Sequence, residues 1–84
     1  MKHLAYLRDM TEQELDATGL LCPLPVLKLR KRLGALAVGD RIRLRADDPA
    51  AVIDVPHFCA ESGHLLVETA EEDGAQVYLV EKRG

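Results

Sequence analysis

The sequence contains no tryptophan, and two tyrosines and one phenylalanine are its whole supply of aromatic rings. A core built from this chain must therefore consist of Leu, Val, Ile and Ala, within a composition that is 48% hydrophobic. Scarce aromatics argue against stacking on single-stranded nucleic acid, and a formal charge of −3 argues against general phosphate binding. The composition favours a folded domain that does not bind nucleic acid.

Long hydrophobic runs are also missing. The apolar patch at residues 4–7 is too short for a signal peptide or a membrane span. We therefore expect no direct membrane contact and a cytoplasmic location, where thiols stay reduced. With 84 residues, the chain is expected to form one domain over residues 12–84, after an N-terminal extension of residues 1–11 that could be flexible.

Cysteine is scarce too, and the first of its two copies has unusual neighbours. It opens a Cys-Pro-Leu-Pro tetrapeptide made of Cys22, Pro23, Leu24 and Pro25. Proline is tolerated in the first turn of a helix, where N–H groups have no intrahelical acceptor. The pattern predicts a helix over residues 23–33, with Cys22 as its N-cap and Pro23 as its first residue. The helix dipole is then expected to favour the Cys22 thiolate.

A free cysteine more often serves as a small buried hydrophobe, and each copy must be weighed against that alternative. The prolines stiffen the position of Cys22 without adding a packing advantage, so we predict that Cys22 is presented for chemistry. Cys59 receives the opposite interpretation. It is predicted to lie in the core, on a helix face that it shares with Val52 and Val55.

Hydrophobic periodicity predicts the strands. Residues 41–46 alternate arginine with apolar side chains, which is typical of a strand with one covered face and one solvated face. Further strands are predicted over residues 12–17, 65–70 and 76–82. The last two are joined by a Glu-Asp-Gly turn and should form a hairpin.

A second helix is predicted between these strands. Asp48 is its expected N-cap, Pro49 its first residue, and Gly63 its end. Pro56 inside it should kink or split it. The predicted fold class is therefore α/β (α+β), a two-layer sandwich of order β-α-β-α-β-β with two helices on one face of a mixed four-stranded sheet.

Three blocks of the sequence resemble the TusA/SirA family of sulfur-carrier proteins. They are residues 15–25, residues 47–49, and residues 54–59 followed by the Gly-His pair at 63–64. A lone Cys-Pro-x-Pro would be a weak signal, whereas three blocks in order over residues 13–82 are specific. The resemblance implies a two-layer sandwich similar to the C-terminal domain of bacterial translation initiation factor three.

The resemblance also implies a function in a sulfur relay. Family members accept a sulfane sulfur as a persulfide from a cysteine desulfurase or a rhodanese, and pass it to an acceptor protein. Destinations include tRNA thiolation, molybdenum-cofactor maturation and oxidative sulfur metabolism. Carried onto this chain, Cys22 forms the persulfide, and Pro23, Leu24 and Pro25 shape its turn. No cofactor is expected, and a small shuttle that must expose this turn is expected to be a monomer.

One departure from the family pattern concerns the rim of the motif. Better-known tRNA-thiolating members carry arginine before the cysteine, where this chain has Leu21. Together with Leu20 and Leu24, this residue would form an apolar rim around the thiol. Such a rim would suit a different partner, so the pathway stays open.

Partner binding is predicted because no histidine lies close to Cys22 in the sequence. The chain is therefore expected to act with partner enzymes as a sulfurtransferase-type carrier rather than as a stand-alone catalyst. Docking is assigned to Leu21 and to a basic cluster in the first helix: Lys28, Arg30, Lys31 and Arg32. An equally weighted alternative is that this cluster only solvates the helix and complements its negative C-terminus.

Three other classes compete with the carrier. A dithiol redox protein would place its cysteines close together, but Cys22 and Cys59 are far apart in the sequence. A metal site using both cysteines with His57 and His64 lacks the usual tight ligand pairs. A regulatory or RNA-binding or protein-binding module of the same fold is the remaining alternative, and such a module would be indifferent to Cys22→Ser.

Overall fold

The computed structural model of the protein describes residues 12–84, which form four strands and two helices. In chain order these are β1 (Glu12–Asp16), α1 (Leu24–Gly34), β2 (Arg41–Ala46), α2 (Ala51–Ser62), β3 (Leu65–Glu72) and β4 (Ala75–Glu81). The predicted order β-α-β-α-β-β is confirmed. The predicted extension, residues 1–11, lies outside the described residues. No helix within residues 12–84 has the length and apolarity needed to cross a membrane.

The four strands form one mixed sheet in the order β1-β2-β4-β3. β1 runs parallel to β2, and β4 runs antiparallel to both of its neighbours. The connections through α1 and α2 step in the same direction across this sheet. Right-handed crossovers of that kind place both helices on one face, as the sequence predicts.

The core fills the space between this face and the helices. Ile42, Leu44 and Ala46 of β2 are fully buried, as their alternation with arginine predicts. They belong to one cluster with Leu29 of α1 and Val55 of α2, which are also fully buried. Burial of aliphatic side chains thus holds both helices, and the turns that precede them, against the sheet.

The opposite face of the sheet is covered by ion pairs rather than by helices. The three arginines of β2 each pair with a carboxylate: Arg41 with Glu81 at 3.0 Å, Arg43 with Glu12 at 2.7 Å, and Arg45 with Glu72 at 3.2 Å. The register places Leu79 opposite Arg43 and Val77 opposite Arg45 on this face, and both apolar residues are buried. The arginine stems therefore shield apolar surface while their charged ends stay partly solvated.

The start of α2 differs from the prediction. Its N-cap is Ala50 rather than Asp48, and the regular helix begins at Ala51. The preceding turn is tighter than an α-helix, because the Ala51 N–H donates to the Asp48 carbonyl at 2.9 Å and the Val52 N–H donates to the Pro49 carbonyl at 3.2 Å. Asp48 still accepts a bond from the Ala50 N–H through its side chain, at 3.3 Å.

The rest of α2 largely follows the prediction. Pro56 lies inside the helix without splitting it. Gly63 ends the helix with a φ of 79°, a left-handed conformation that glycine adopts at low cost. Val52 was predicted to face inward and is 53% exposed, because the buried stripe runs through Val55 and Phe58 and Val52 falls at its edge.

The predicted hairpin between β3 and β4 is confirmed. Asp73 and Gly74 form its two-residue turn with φ values of 50° and 80°. Both values lie in the left-handed region, which is the conformation that matches the twist of the flanking strands. The hairpin makes β4 a central strand, bonded to β2 on one side and to β3 on the other.

Candidate functional site

Cys22 lies on the connection between β1 and α1, in a turn that precedes the helix. The Leu24 N–H donates to the Leu21 carbonyl at 2.8 Å, which closes the turn around Cys22 and Pro23. The Cys22–Pro23 peptide bond is cis. The first helical hydrogen bond runs from the Leu27 N–H to the Pro23 carbonyl at 3.1 Å. Pro23 is therefore the N-cap of α1.

The predicted helix start is thus wrong by one residue. Cys22 was expected at the N-cap and Pro23 at the first helical position, whereas α1 begins at Leu24 and Pro25 is its second residue. The hydrogen bond from the Leu24 N–H to the Leu21 carbonyl accounts for the difference. It closes a turn before the helix, so the first helical hydrogen bond is the one that the Pro23 carbonyl accepts. Cys22 is left fully outside the helix and exposed to solvent.

Two aspartates hold the Cys22 turn from the neighbouring loop. The Cys22 N–H donates to the Asp48 carboxylate at 2.6 Å, and the Gly19 N–H donates to the Asp47 carboxylate at 2.9 Å. Charge-assisted bonds of this length are among the stronger hydrogen bonds in proteins. They fix the backbone of the cysteine relative to the sheet.

Sequence reasoning assigned Asp48 only to the helix cap and gave Asp47 no contact with the Cys22 turn. A signal for both contacts was present in the topology. β1 and β2 are neighbouring parallel strands, so the loops that follow their carboxyl ends meet at one edge of the sheet. The Cys22 turn follows β1, and the Asp-Asp-Pro block follows β2.

The surroundings of the thiol are acidic. The pKa of Cys22 is raised above its usual value of 9.0, first by the Asp54 carboxylate of α2 as a hydrogen-bond acceptor, and then by desolvation and the charges of Asp54 and Asp48. A nearby negative charge disfavours a thiolate. The direction of this shift is opposite to the favoured thiolate that was expected from the helix N-terminus.

The helix N-terminus is too weak to reverse this effect, and the motif itself explains why. Pro23 and Pro25 have no N–H group to offer to a thiolate. The Leu24 N–H is already bonded to the Leu21 carbonyl. The same prolines that stiffen the turn therefore remove two of the N–H donors through which a helix end stabilises an anion.

A groove of about 250 Å³ runs from Cys22 between the two helices. Its walls carry both signs of charge, and its lining residues are Cys22, Pro23, Val26, Arg30, Asp54, His57, Phe58 and Glu61. His57 faces Glu61 at 3.4 Å between Nε2 and Oε2. The Arg30 guanidinium stacks over the Phe58 ring at 5.5 Å. The thiol thus faces a mixed, solvent-open groove.

The four residues of the basic cluster of α1 do not all face solvent. Lys28, Arg30 and Lys31 are exposed, while Arg32 is half-buried and donates to the Gln13 side chain of β1 at 3.4 Å. Arg32 therefore contributes to packing against the sheet edge, and the single stripe that the sequence suggests is not fully presented to solvent.

The apolar rim around the cysteine is present in altered form. Leu21 is 68% exposed and Leu24 is 47% exposed. Leu20 was expected in the rim but packs against the core. Leu27, one helical turn beyond Pro23, is exposed. The three exposed leucines on this part of the chain, Leu21, Leu24 and Leu27, are called the rim below.

Cys59 is buried in the core, as predicted. Burial raises the pKa of its thiol to about 11, so that it stays protonated and inert. Both cysteines are free thiols, one exposed and one buried. Among residues 12–84, no group of three or more His, Cys, Asp or Glu side chains is placed to hold a metal ion.

A comparison with known protein families matches the model of sulfurtransferase TusA to residues 13–82. The chain belongs to the TusA family. Two proteins named sulfur carrier protein TusA are close relatives. The one from Allochromatium vinosum is 42% identical over 71 residues, which cover 84% of this chain and 93% of the relative. The one from Pseudomonas paraeruginosa is 45% identical over 69 residues, covering 82% and 87%.

The fold has a counterpart among solved structures. The crystal structure of the SirA-like protein from Desulfitobacterium hafniense superposes with a TM-score of 0.76 at 23% identity. The match covers 86% of this chain and 99% of that chain. At this level of identity the likeness supports the fold, and both the fold class and the TusA/SirA family predicted from the sequence are confirmed.

Proposed function

We propose that this protein is a sulfur carrier that holds a sulfane sulfur as a persulfide on Cys22. The observation that carries the proposal is an exposed cysteine on a turn that Asp48 holds by its backbone, in a chain of the TusA family. The names of the relatives, sulfur carrier protein TusA, support the same role. Cys59 is too buried to share it.

Loading exchanges one sulfur–sulfur bond for another. The Cys22 sulfur attacks the outer sulfur of a donor persulfide, a new S–S bond forms on Cys22, and the donor S–S bond breaks. The Cys22 proton is balanced by the proton that the departing donor thiolate takes up. The donor is a cysteine desulfurase or a rhodanese, the acceptor is the next protein of the relay, and the exchange itself needs no cofactor.

The unit that performs this exchange is residues 12–84, acting as a monomer. A monomer leaves the Cys22 turn free to meet one partner after another. The reducing cytoplasm is the compartment that suits such a thiol. The pathway that receives the sulfur depends on the acceptor, and tRNA thiolation, cofactor maturation and sulfur oxidation all use this chemistry.

The loading reaction tests the proposal directly. Incubation with a cysteine desulfurase and L-cysteine should add one sulfur to the intact protein, and a reductant should remove it. A parallel arm uses a rhodanese with thiosulfate. If neither donor adds sulfur, the carrier role is wrong, and the protein is a regulatory or binding module of the same fold.

Docking is assigned to the rim of Leu21, Leu24 and Leu27 together with the basic cluster. The exposed members of that cluster, Lys28 and Lys31, continue the same side of α1 beyond the rim. Apolar contact close to the thiol would give affinity, and the lysines would steer an acidic partner surface. Arg30 and Arg32 contribute less, because each already contacts another side chain.

The double variant Lys28→Glu and Lys31→Glu is expected to slow loading roughly three- to tenfold at low ionic strength, since electrostatic steering acts on the association rate. The measurement is the initial rate of sulfur uptake from the desulfurase. High salt should bring the variant and the wild type together. Arg83→Glu, near the C-terminus, serves as a charge control and should load normally. An unchanged loading rate for the double variant at low salt would show that Lys28 and Lys31 take no part in docking.

A further inference from the structure

The carboxylate of Asp48 joins the turn before α1 to the start of α2. One of its oxygens accepts the Cys22 N–H at 2.6 Å, and the other accepts the N–H of Ala50, the N-cap of α2, at 3.3 Å. Asp48 is half-buried and follows shortly after the end of β2. A carboxylate that accepts two backbone N–H groups fixes them relative to each other. We call this arrangement the Asp48 bridge.

Two further hydrogen bonds tie the connection between β1 and α1 to the segment that follows β2. The Ala17 N–H donates to the Arg45 carbonyl at 2.8 Å, which continues the parallel pairing of the two strands. The Gly19 N–H donates to the Asp47 carboxylate at 2.9 Å. The bonds follow one another in the same order along both segments, and the bridge is the last of them before α1. The bridge thus extends a well-held connection as far as the reactive cysteine.

We propose that Asp48 is a positioning residue for sulfur transfer, which orients Cys22 toward the sulfur of a docked partner by holding the Cys22 N–H. This role rests on the proposed sulfur-carrier function and adds to it a residue that acts through the backbone of the cysteine. Its effect is expected on the rate of transfer inside the complex, rather than on the strength of docking.

The position of Cys22 explains why a hold on its backbone matters. Its side chain is exposed, and so are the flanking residues Leu21 and Pro23. On the helix side, the buried anchor is Pro25 in the first turn of α1. The region that the sulfur can reach is set by the backbone and by the rotamers that the backbone allows. The Asp48 bridge acts on that backbone at the cysteine itself.

The direction of the sulfur matters because its attack is geometrically demanding. The Cys22 sulfur approaches the outer sulfur of a donor persulfide along the S–S bond that breaks, and the donor thiolate takes up the proton that Cys22 releases. The sum is a thiol and a donor persulfide giving the Cys22 persulfide and a donor thiol. A misplacement of about 1 Å between reacting groups can cost on the order of 100-fold in rate. A loosely held cysteine would therefore transfer sulfur more slowly after docking.

The alternative is that Asp48 only stabilises the fold, and Asp40 provides the matched comparison. The Asp40 carboxylate accepts the Ala37 N–H at 3.1 Å in the turn before β2, at the opposite end of that strand. Both contacts join a carboxylate to a backbone N–H in a connection, so their removal should cost comparable stability. The Asp48 contact differs because it holds the cysteine.

Single-turnover loading tests the positioning role. The protein is mixed with excess persulfidated cysteine desulfurase at increasing concentrations, which gives a limiting rate constant and a half-saturating donor concentration. Asp48→Ala should lower the limiting rate constant roughly tenfold and leave the half-saturating concentration unchanged. Asp48→Asn keeps an oxygen that accepts the Cys22 N–H and should stay within about threefold of the wild type. Asp40→Ala should load like the wild type. A rhodanese loaded with thiosulfate is the parallel donor.

Two measurements on the free protein separate positioning from damage to the thiol. Alkylation of Cys22 by iodoacetamide should not slow in Asp48→Ala, because a small electrophile needs no fixed approach and loss of a carboxylate favours the thiolate. Exchange of the Cys22 amide proton with solvent, followed by NMR, should be roughly tenfold faster in Asp48→Ala and closer to the wild type in Asp48→Asn. Urea unfolding verifies that each variant is folded. Asp48→Leu, which also lacks an acceptor, replaces Asp48→Ala if that variant does not fold.

The outcomes divide clearly. A lower limiting rate constant in Asp48→Ala, with Asp48→Asn close to the wild type, supports the positioning role. An unchanged limiting rate constant, an effect only on the half-saturating concentration, slower alkylation or unchanged amide exchange in Asp48→Ala overturns it. An equal loss of transfer in Asp48→Asn or in Asp40→Ala also overturns it. Failure of the carrier function looks different, because the wild type then takes up no sulfur from either donor.

Discussion

Replacing Cys22 by serine is expected to abolish sulfur loading completely. A serine hydroxyl forms no persulfide, so the sulfur has no atom to bind. The fold should survive, because Cys22 is exposed and its backbone bond to Asp48 does not depend on the side chain. Sulfur uptake from a desulfurase with L-cysteine, measured on the intact protein, provides the readout.

The matched control is Cys59→Ala. It removes the only other cysteine, from the core, and is expected to cost about 1 kcal/mol of unfolding free energy while it leaves loading intact. A Cys22→Ser protein that still gains a reductant-labile sulfur would contradict the assignment of Cys22. Loss of loading in Cys59→Ala, in a protein that unfolding shows to be folded, would point to the buried thiol instead.

Leu29→Ala is expected to lower the free energy of unfolding by about 2–5 kcal/mol, because Leu29 is fully buried between α1 and the sheet. The total stability of a small domain is on the order of 5–15 kcal/mol, so this loss is a large fraction of it. Urea unfolding measures the effect. The variant should also load less sulfur at temperatures near its midpoint, since α1 positions the Cys22 turn.

Leu27→Ala provides the comparison within the same helix. Leu27 is 48% exposed, so its removal should change the unfolding free energy by about 0.5 kcal/mol or less. Equal losses for the two variants would show that the described packing of α1 is incorrect. A loss confined to Leu29 would support the burial pattern that places the motif at the edge of the sheet.

Much of the fold is predictable because local patterns and tertiary structure agree. The alternation in β2 is uninterrupted and marks both faces of the sheet. Gly63 ends α2 because glycine adopts positive φ at low cost. The Asp-Gly turn sets the hairpin register. Given these elements, the handedness of the crossovers places both helices on one face.

The features that sequence reasoning missed depend on contacts between distant segments. The pKa of Cys22 is raised chiefly by Asp54, which lies on another helix and leaves no local signal. The exact start of α1 depends on a turn bond to Leu21. Val52 was predicted to face the core and is exposed, whereas Leu20 was predicted to be exposed and packs against the core. Each lies at the border of an apolar stripe, where a small rotation decides burial.

The candidate cysteine itself was predictable from its motif, whereas its electrostatic state was not. A helix N-terminus generally favours a thiolate, but that rule assumes free N–H donors. Here the prolines that identify the motif also remove two of those donors. The Asp48 contact could have been anticipated from the parallel pairing of β1 and β2, since loops after such strands converge.

The measurement that tests the central claim most directly is fragment mass spectrometry of the wild-type protein after loading by a cysteine desulfurase with L-cysteine. The reaction is followed by non-reducing digestion. We predict one additional sulfur on the peptide that contains Cys22 and none on the peptide that contains Cys59. An added sulfur on the Cys59 peptide, or none on either, would contradict the account of Cys22 as the sulfur carrier.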